Sequence, residues 1–226
     1  MSPPRVQVNE HIDLNETETK IFDILLKTLC HNGLENLQLH VADGWVRDKL
    51  LGKDYGDIDI AVEDMRGIKF AEKVKDYLYS VGKEQAITYF PGKEKDACRR
   101  DITINSLLCN INSKSVEDHT GRGTADLKEG RIATTTPPEL SLVEDPKRVL
   151  RAIRYGAKFG FFLDDDIKKA AASDEVKAAL MSKVSRDRIN VEVSSCHPQK
   201  KIDLIIFYTS TGRRLNYLNV EDTVVV

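Results

Sequence analysis

The stretch from Val41 to Val62 is the feature that most constrains the fold of this 226-residue chain. It reads as the end of a strand, a tight glycine turn, a short helix and a second strand that carries Asp57 and Asp59. Side chains alternate along a strand, so the two aspartates are expected on one face and the apolar residues between them on the other. The stretch therefore predicts a compact unit in which a turn and a pair of carboxylates lie side by side.

Two carboxylates on one strand face repel each other unless a positive charge lies between them. Mg²⁺ suits such a pair, because it prefers oxygen ligands and keeps open positions for phosphates. Gly44 and Arg47, just upstream, could hold a triphosphate over the metal ions. Two interpretations stay open from these residues alone: an edge strand with a solvated face, and a Mg²⁺ site beside a bound triphosphate.

Length and composition indicate a globular protein with one large domain or two small ones. The hydrophobic share is 41% and the charged share 31%, and the net charge of −2 does not exclude a nucleic-acid partner, because basic residues can be concentrated in one cleft. No apolar run approaches membrane-spanning length, and no signal or transit peptide is visible, so we expect a cytoplasmic or nuclear protein without a membrane partner, with an organellar form as the open alternative. The four scattered cysteines are expected to be reduced thiols.

The apolar pattern predicts an α+β fold, with strands and helices mixed up to about residue 138 and helices after it. Asn15 and Glu18 have the spacing of a capping box, so a helix is expected to begin there and to end before Gly33. The later expectations are a half-buried strand at 37–41, a helix at 66–81, strands at 86–90 and 107–111, a loop at 117–130, a strand at 131–135, a break at Pro137-Pro138, a helix with Asp145 as N-cap and Pro146 at its first position, and helices at 164–172 and 174–183. We divide the chain into an arm (1–14), a head domain (15–138), a helical region (139–201) and a divergent tail (202–226).

Four short motifs follow one another along the chain. They are Gly44-Trp45-Val46-Arg47-Asp48, Asp57-Ile58-Asp59, Arg99-Arg100-Asp101-Ile102-Thr103-Ile104-Asn105, and Glu144-Asp145-x-x-Arg148 with Arg151. In this order and spacing they resemble the tRNA nucleotidyltransferases, the CCA-adding enzymes of the polymerase β-like superfamily, in the class that includes bacterial and eukaryotic members. The sequence of these motifs is most similar to that of plant and fungal forms, and the resemblance extends over about residues 11–204.

The resemblance implies a polymerase β-like nucleotidyltransferase head, a small mixed sheet with flanking helices, followed by a helical neck. It implies that CTP and ATP are substrates, that tRNA is extended at its 3′ end with release of pyrophosphate, and that Mg²⁺ is the cofactor. Asp57 and Asp59 are then the catalytic metal ligands, and Asp145 and Arg148, one helical turn apart, meet the edge of the incoming base. The nucleotide-binding residues that it implies are Gly44, Arg47, Arg100, Asp101, Asn105, Asp145, Arg148 and Arg151.

The chain departs from the family at three places. The first of the two family glycines at the turn is Asp43 here, the segment between Gly82 and Arg99 is short, and residues after about 204 do not resemble the family's helical body. A like charge at ~4 Å and an effective dielectric of about 20 opposes phosphate by roughly 4 kcal/mol before screening, whereas an Asp43 that faces a metal or solvent costs little. A truncated form is therefore expected, and two alternatives stay open: a non-catalytic remnant that binds NTP or RNA, and a poly(A)-adding polymerase.

Overall fold

The computed structural model describes residues 6–53, 57–83 and 100–194. The chain divides into two compact units, Met1–Thr135 and Thr136–Val226, and each is described by itself. The first unit contains α1 (Glu16–His31), β1 (Leu39–Ala42), α2 (Gly44–Leu50), β2 (Asp59–Val62), α3 (Gly67–Ser80), a 3-10 turn (Thr103–Asn105), β3 (Leu108–Asn110), β4 (Ser115–Glu117), α4 (Gly123–Glu129) and β5 (Arg131–Ile132). The second contains α5 (Pro138–Glu144), α6 (Lys147–Phe159), β6 (Phe162–Leu163), α7 (Asp165–Ala172), α8 (Asp174–Lys183) and α9 (Arg186–Ser194).

A four-stranded sheet in the order β2-β1-β3-β4 forms the centre of the first unit. Each of its pairings is antiparallel, so within the described residues the sheet is antiparallel rather than mixed. The prediction of a half-buried strand is wrong, because all four residues of β1 are buried. His40, which alternation assigns to solvent, is buried, and its Nε2 lies 3.1 Å from Oε2 of Glu117 on β4. A polar side chain can occupy a central strand because a neighbouring carboxylate satisfies it.

The first helix begins as its sequence predicts. The Asn15 side chain accepts a hydrogen bond from the Glu18 N–H (2.9 Å), and the Glu18 carboxylate accepts one from the Asn15 N–H (2.8 Å). The capping box is therefore formed, and α1 ends before Gly33 as expected. Its buried face includes Phe22, Leu25 and Leu29.

Glu18 also binds two side chains of α2. One of its carboxylate oxygens accepts a hydrogen bond from Trp45 Nε1 (3.0 Å), and the other lies 2.8 Å from Lys49 Nζ. All three side chains are buried, at 4%, 0% and 7% exposure respectively. An isolated seven-residue helix is unstable in water, so α2 depends on such tertiary contacts for its position.

Several expected boundaries shift. The loop at 117–130 contains α4, whose first turn is held by Asp118 Oδ2 accepting a hydrogen bond from Thr124 N (2.9 Å). The break at the two prolines is instead the start of α5, because Pro138 occupies a first-turn position that needs no N–H donor. The strand predicted at 131–135 is shorter in the structure, where β5 contains only Arg131 and Ile132.

In the second unit, α7 and α8 match their predicted spans and are capped by Asp164 and Ser173, each accepting a hydrogen bond from an N–H in the first turn. The predicted strand at 86–90 and the tail at 202–226 lie outside the described residues. Within the described part of the chain, no helix combines the length and apolar character that a membrane crossing requires.

The contact between α1 and α2 can be tested through Glu18. Glu18→Gln removes the charge that pairs with buried Lys49, and we expect the free energy of unfolding to fall by about 3 kcal/mol, because a buried ion pair is costly to break from one side. Urea unfolding followed by circular dichroism measures this. Glu16→Gln is the matched control: Glu16 is on the same helix and pairs with Lys20 at 83% and 69% side-chain exposure, and we expect a change of less than about 0.5 kcal/mol. Equal effects of the two variants would contradict the role given to Glu18.

Candidate active site

The antiparallel register places the two aspartates beside the turn that follows β1. Ala42, the last residue of β1, is paired with Asp59, the first residue of β2. Asp43 and the start of α2 at Gly44 come directly after Ala42. Strand β2 is shorter than the sequence predicts, because Asp57 precedes it instead of lying within it. Even so, Asp57 and Asp59 are exposed and Ile58 and Ile60 half-buried, the alternation that the sequence predicts.

The exposed carboxylates of Asp57 and Asp59 have the chemistry that a divalent cation needs. Mg²⁺ is commonly held by one or two carboxylates, with water and phosphate oxygens completing the octahedron. Within the described ranges, no group of three or more His, Cys, Asp or Glu side chains could hold a metal ion. The two carboxylates therefore fit a cation that shares its coordination with a bound phosphate.

Arg47 joins α2 to the segment that carries the third sequence motif. Its side chain is almost fully buried, its Nε donates to Asp48 Oδ1 (2.8 Å), and its Nη1 donates to Asn105 Oδ1. Arg47, which was predicted to bind the triphosphate, is thus buried in this structure, and its guanidinium lies between the Asp48 carboxylate and the Asn105 amide. Asp48 was not a predicted site residue, and its position directly after Arg47 was the available signal.

The 3-10 turn at Thr103–Asn105 is held by hydrogen bonds that involve the third motif itself. Asp101 Oδ1 accepts hydrogen bonds from Ile102 N (3.0 Å) and Asn105 Nδ2 (3.3 Å). Arg100 Nη1 donates to the Asn105 carbonyl oxygen (2.9 Å). Arg100, Asp101 and Asn105 are all less than 8% exposed, so the structure brings three predicted nucleotide-binding residues and Arg47 into one buried network.

Thr103 anchors this turn to the rest of the first unit. Its hydroxyl donates to Asp126 Oδ2 on α4 (2.7 Å), and its N–H donates to the Ala133 carbonyl oxygen (2.9 Å). Both Thr103 and Asp126 are buried. Sequence reasoning missed this pair, because a threonine and an aspartate that are 23 residues apart carry no local pattern.

Asp43 pairs with Arg100. Asp43 Oδ1 lies 2.9 Å from Arg100 Nη1, with the aspartate side chain 29% exposed and the arginine side chain 5% exposed. The backbone of Asp43 has φ 69° and ψ −150°, a region that glycine adopts readily and other residues rarely. The turn thus keeps the geometry of a glycine position although an aspartate occupies it. In this structure the partly exposed Asp43 carboxylate therefore meets an arginine, which the sequence did not predict.

The second unit carries the fourth motif at the start of α6. The helix begins at Lys147 with Pro146 at the N-cap, one residue later than predicted, yet Asp145 Oδ1 still accepts a hydrogen bond from Lys147 N (3.2 Å). Arg148 Nη1 donates to Ser141 Oγ on α5 (2.7 Å), and Arg151 lies beside the Tyr155 ring, with 6.0 Å from its Cζ to the centroid. Asp145, Arg148 and Arg151 are each partly exposed, so their polar groups are reachable.

Arg154, one turn further along α6, has a different environment. Its Nε donates to Glu192 Oε2 on α9 (2.7 Å), and its Cζ lies 4.4 Å from the centre of the Tyr155 ring. Burial opposes the charge, but Tyr155 and Glu192 outweigh it and raise the pKa of the Arg154 guanidinium above its ordinary value. These contacts explain Arg154 as a residue that packs α6 against α9.

Asn105 provides a test of the buried network. Asn105→Ala removes an acceptor of Arg47 and a donor to Asp101, and we expect a loss of about 2 kcal/mol in the free energy of unfolding, because buried polar groups lose their partners. Chemical denaturation provides the measurement. Asn36→Ala is the control: Asn36 is exposed, and we expect a change within about 0.5 kcal/mol. A change at Asn105 no larger than at Asn36 would show that the network does not stabilise the unit.

A glycine-type turn beside Asp57 and the β2 residue Asp59, with a buried Arg-Asp-Asn segment next to it, is the arrangement that the motifs predict for a nucleotidyltransferase of the polymerase β type. The matching family model agrees: residues 39–93 and 72–133 match the poly A polymerase head domain. Over residues 39–133 the chain therefore matches a polymerase β-like nucleotidyltransferase head, and its curated relatives include the CCA-adding tRNA nucleotidyltransferases.

Among these relatives is the mitochondrial CCA tRNA nucleotidyltransferase of Candida glabrata, 32% identical over an alignment that covers 80% of this chain and 44% of the relative. Among solved structures, a CCA-adding enzyme in complex with CTP superposes with a TM-score of 0.69 at 27% identity, covering 88% of this chain and 52% of that one. The Thermotoga maritima CCA-adding enzyme complexed with tRNA superposes with a TM-score of 0.68 at 28% identity, covering 87% and 52%. The chain thus spans about half the length of the relatives that it matches.

The alignment with the Candida glabrata enzyme spans 235 residues although it covers only 80% of this 226-residue chain. Gaps in this chain must account for the difference, so the relative carries residues within the aligned region that this chain lacks.

Proposed function

We propose that this chain is a tRNA nucleotidyltransferase that transfers CMP and AMP from CTP and ATP to the 3′ end of tRNA, with release of pyrophosphate. The observation that carries the proposal is the register of β1 and β2, which sets Asp59 opposite the residue before the Asp43-Gly44 turn. A carboxylate pair and a phosphate-binding turn are then neighbours, as phosphoryl transfer requires. The names of the relatives, which include CCA-adding enzymes with CTP and with tRNA, support the same substrates.

Asp57 and Asp59 fit a divalent cation, and Mg²⁺ is the ion that we propose. When bound, it supplies charge stabilisation for the attacking and leaving oxygens. The 3′-hydroxyl oxygen of tRNA forms a bond to the α-phosphorus, the bond from that phosphorus to the bridging oxygen breaks, and the hydroxyl proton leaves to solvent. The two carboxylates would contribute by holding the cation next to the turn, where the reacting groups meet.

The remaining residues bind and orient the nucleotide. Gly44 permits close approach of the backbone, and Arg100, Asp101 and Asn105 line the adjacent buried network. Arg47 holds the Asn105 amide in place from below. Asp145, Arg148 and Arg151 contact the base, so that the protein supplies the donors and acceptors of a template strand. This division corresponds to a head domain at 15–138 and a helical neck at 139–201, and a cytoplasmic or nuclear location stays a prediction.

The assay that tests the proposal incubates the chain with tRNA that lacks its 3′ CCA, labelled CTP or ATP, and Mg²⁺. Addition of two C and one A supports it. Long A tails would favour a poly(A) polymerase, the second candidate, which the name of the matching head-domain model suggests. A folded chain that adds nothing would contradict the proposed activity and favour a non-catalytic nucleotide-binding remnant.

The catalytic role of the aspartates predicts a large loss of activity. We expect Asp57→Ala and Asp59→Ala each to lower nucleotide incorporation by at least about a hundredfold, because charge stabilisation of the transition state is lost. Their melting temperatures should stay close to that of the parent chain, since both side chains are exposed. Asp76→Ala, at an exposed position on α3, is the control and should retain full activity. An active Asp57→Ala/Asp59→Ala double variant would remove the assignment.

Arg148 and Arg154 provide a contrast on one helix. We expect Arg148→Ala to change the ratio of CTP to ATP incorporation at least about tenfold, because a donor to the base edge is lost. Arg154→Ala should lower the melting temperature and leave that ratio unchanged, since its partners are Glu192 and Tyr155. The measurement is single-nucleotide incorporation at matched CTP and ATP concentrations. A preserved ratio in the Arg148 variant would exclude its role in base selection.

A further inference from the structure

We propose that Asp43 is an internal counter-ion that competes with nucleotide phosphate for Arg100 and thereby sets the affinity of the site for a triphosphate. The inference rests on the proposed function in one respect, namely that Arg100 binds a phosphate of the nucleotide. The inference assigns a role in nucleotide affinity to Asp43, a position at which the chain differs from the family that it resembles.

The ion pair places the aspartate charge on the arginine that the proposed site uses. Asp43 Oδ1 and the Asn105 carbonyl oxygen both lie 2.9 Å from Arg100 Nη1. The positive charge of Arg100 is therefore already matched by a carboxylate before any anion arrives. An incoming phosphate therefore meets a neutral ion pair instead of a free cation, which reduces its attraction to the guanidinium.

The rest of the guanidinium is under-satisfied. Nε and Nη2 of Arg100 are buried and have no hydrogen-bond partner in the described part of the chain. These two nitrogens form one edge of the planar group, the edge that binds a carboxylate or phosphate through two parallel hydrogen bonds. Asp43 pairs with Nη1 and leaves these two donors unsatisfied, so a phosphate that displaces the aspartate can form hydrogen bonds that the aspartate does not.

The backbone at Asp43 gives a second reason to regard this contact as unusual. Its φ of 69° and ψ of −150° suit glycine, and an L residue is strained there. The turn retains this geometry, and β1 still leads directly into α2. The ion pair with Arg100 is therefore an interaction that the aspartate adds to a turn whose geometry suits glycine.

The test measures binding of tripolyphosphate, and separately of CTP with Mg²⁺, to the full chain by isothermal titration calorimetry. We expect Asp43→Asn and Asp43→Gly to bind both about tenfold more tightly or better, because the competing charge is gone. Asn keeps the size of the side chain and Gly restores the favoured backbone, so a gain common to both isolates the charge. Arg100→Gln in the Asp43→Asn background should abolish the gain.

Asp64 offers a matched control. It is a second aspartate with positive φ, 53°, and it is exposed in the turn between β2 and α3. Asp64→Asn and Asp64→Gly make the same chemical changes away from Arg100, and we expect unchanged affinity. Circular dichroism and thermal melting confirm that each variant is folded.

The outcomes separate this inference from the proposed function. Tighter tripolyphosphate binding by both Asp43 variants supports the inference even when tRNA is not extended. Unchanged or weaker binding overturns it, including in a chain that extends tRNA, and would mean that Asp43 positions Arg100 instead. Absence of tripolyphosphate binding in every variant also overturns it, because Arg100 then takes no phosphate once Asp43 is removed.

Discussion

The buried guanidinium of Arg47 is the interaction on which the site of the first unit depends. It lies between Asp48 on its own helix and Asn105 on the 3-10 turn, so it connects two segments that are 58 residues apart in the chain. Burying an arginine costs free energy that hydrogen bonds to its donors offset, and the planar group fixes the positions of its partners. The same contact therefore fixes the position of α2 relative to the 3-10 turn that contains Asn105.

A second layer of contacts surrounds this pair. Glu18 holds α2 from the side of α1 through Trp45 and Lys49, and Asp126 holds the turn through Thr103. These groups are buried and charged or polar, so each loses much if its partner is removed. The exposed aspartates Asp57 and Asp59 are placed by the register of β1 and β2. The acidic pair thus stays accessible to solvent, while the residues beside it are tightly packed.

Local sequence patterns were sufficient for elements whose signal lies within a few residues. The capping box of α1, the spans of α7 and α8, and the alternation from Asp57 to Ile60 follow from spacing alone. The failures have two causes. The full burial of β1 depends on a distant partner, Glu117 for His40, and propensity does not contain such a contact. Helices α4 and α5 begin at local groups, Asp118 and Pro138, whose residue types also occur in loops and breaks.

The sequence by itself showed the resemblance to the CCA-adding enzymes, because four motifs in order require no knowledge of contacts, and it identified Asp43 as a departure from a glycine. Only the tertiary structure decided which side chain that aspartate meets. Whether a carboxylate meets a metal, water or an arginine depends on which side chain lies within about 4 Å, and Arg100 is brought there from 57 residues further along the chain by the fold. Charge and residue type are properties of the sequence, but electrostatic interaction depends on distance, and distance is set by packing.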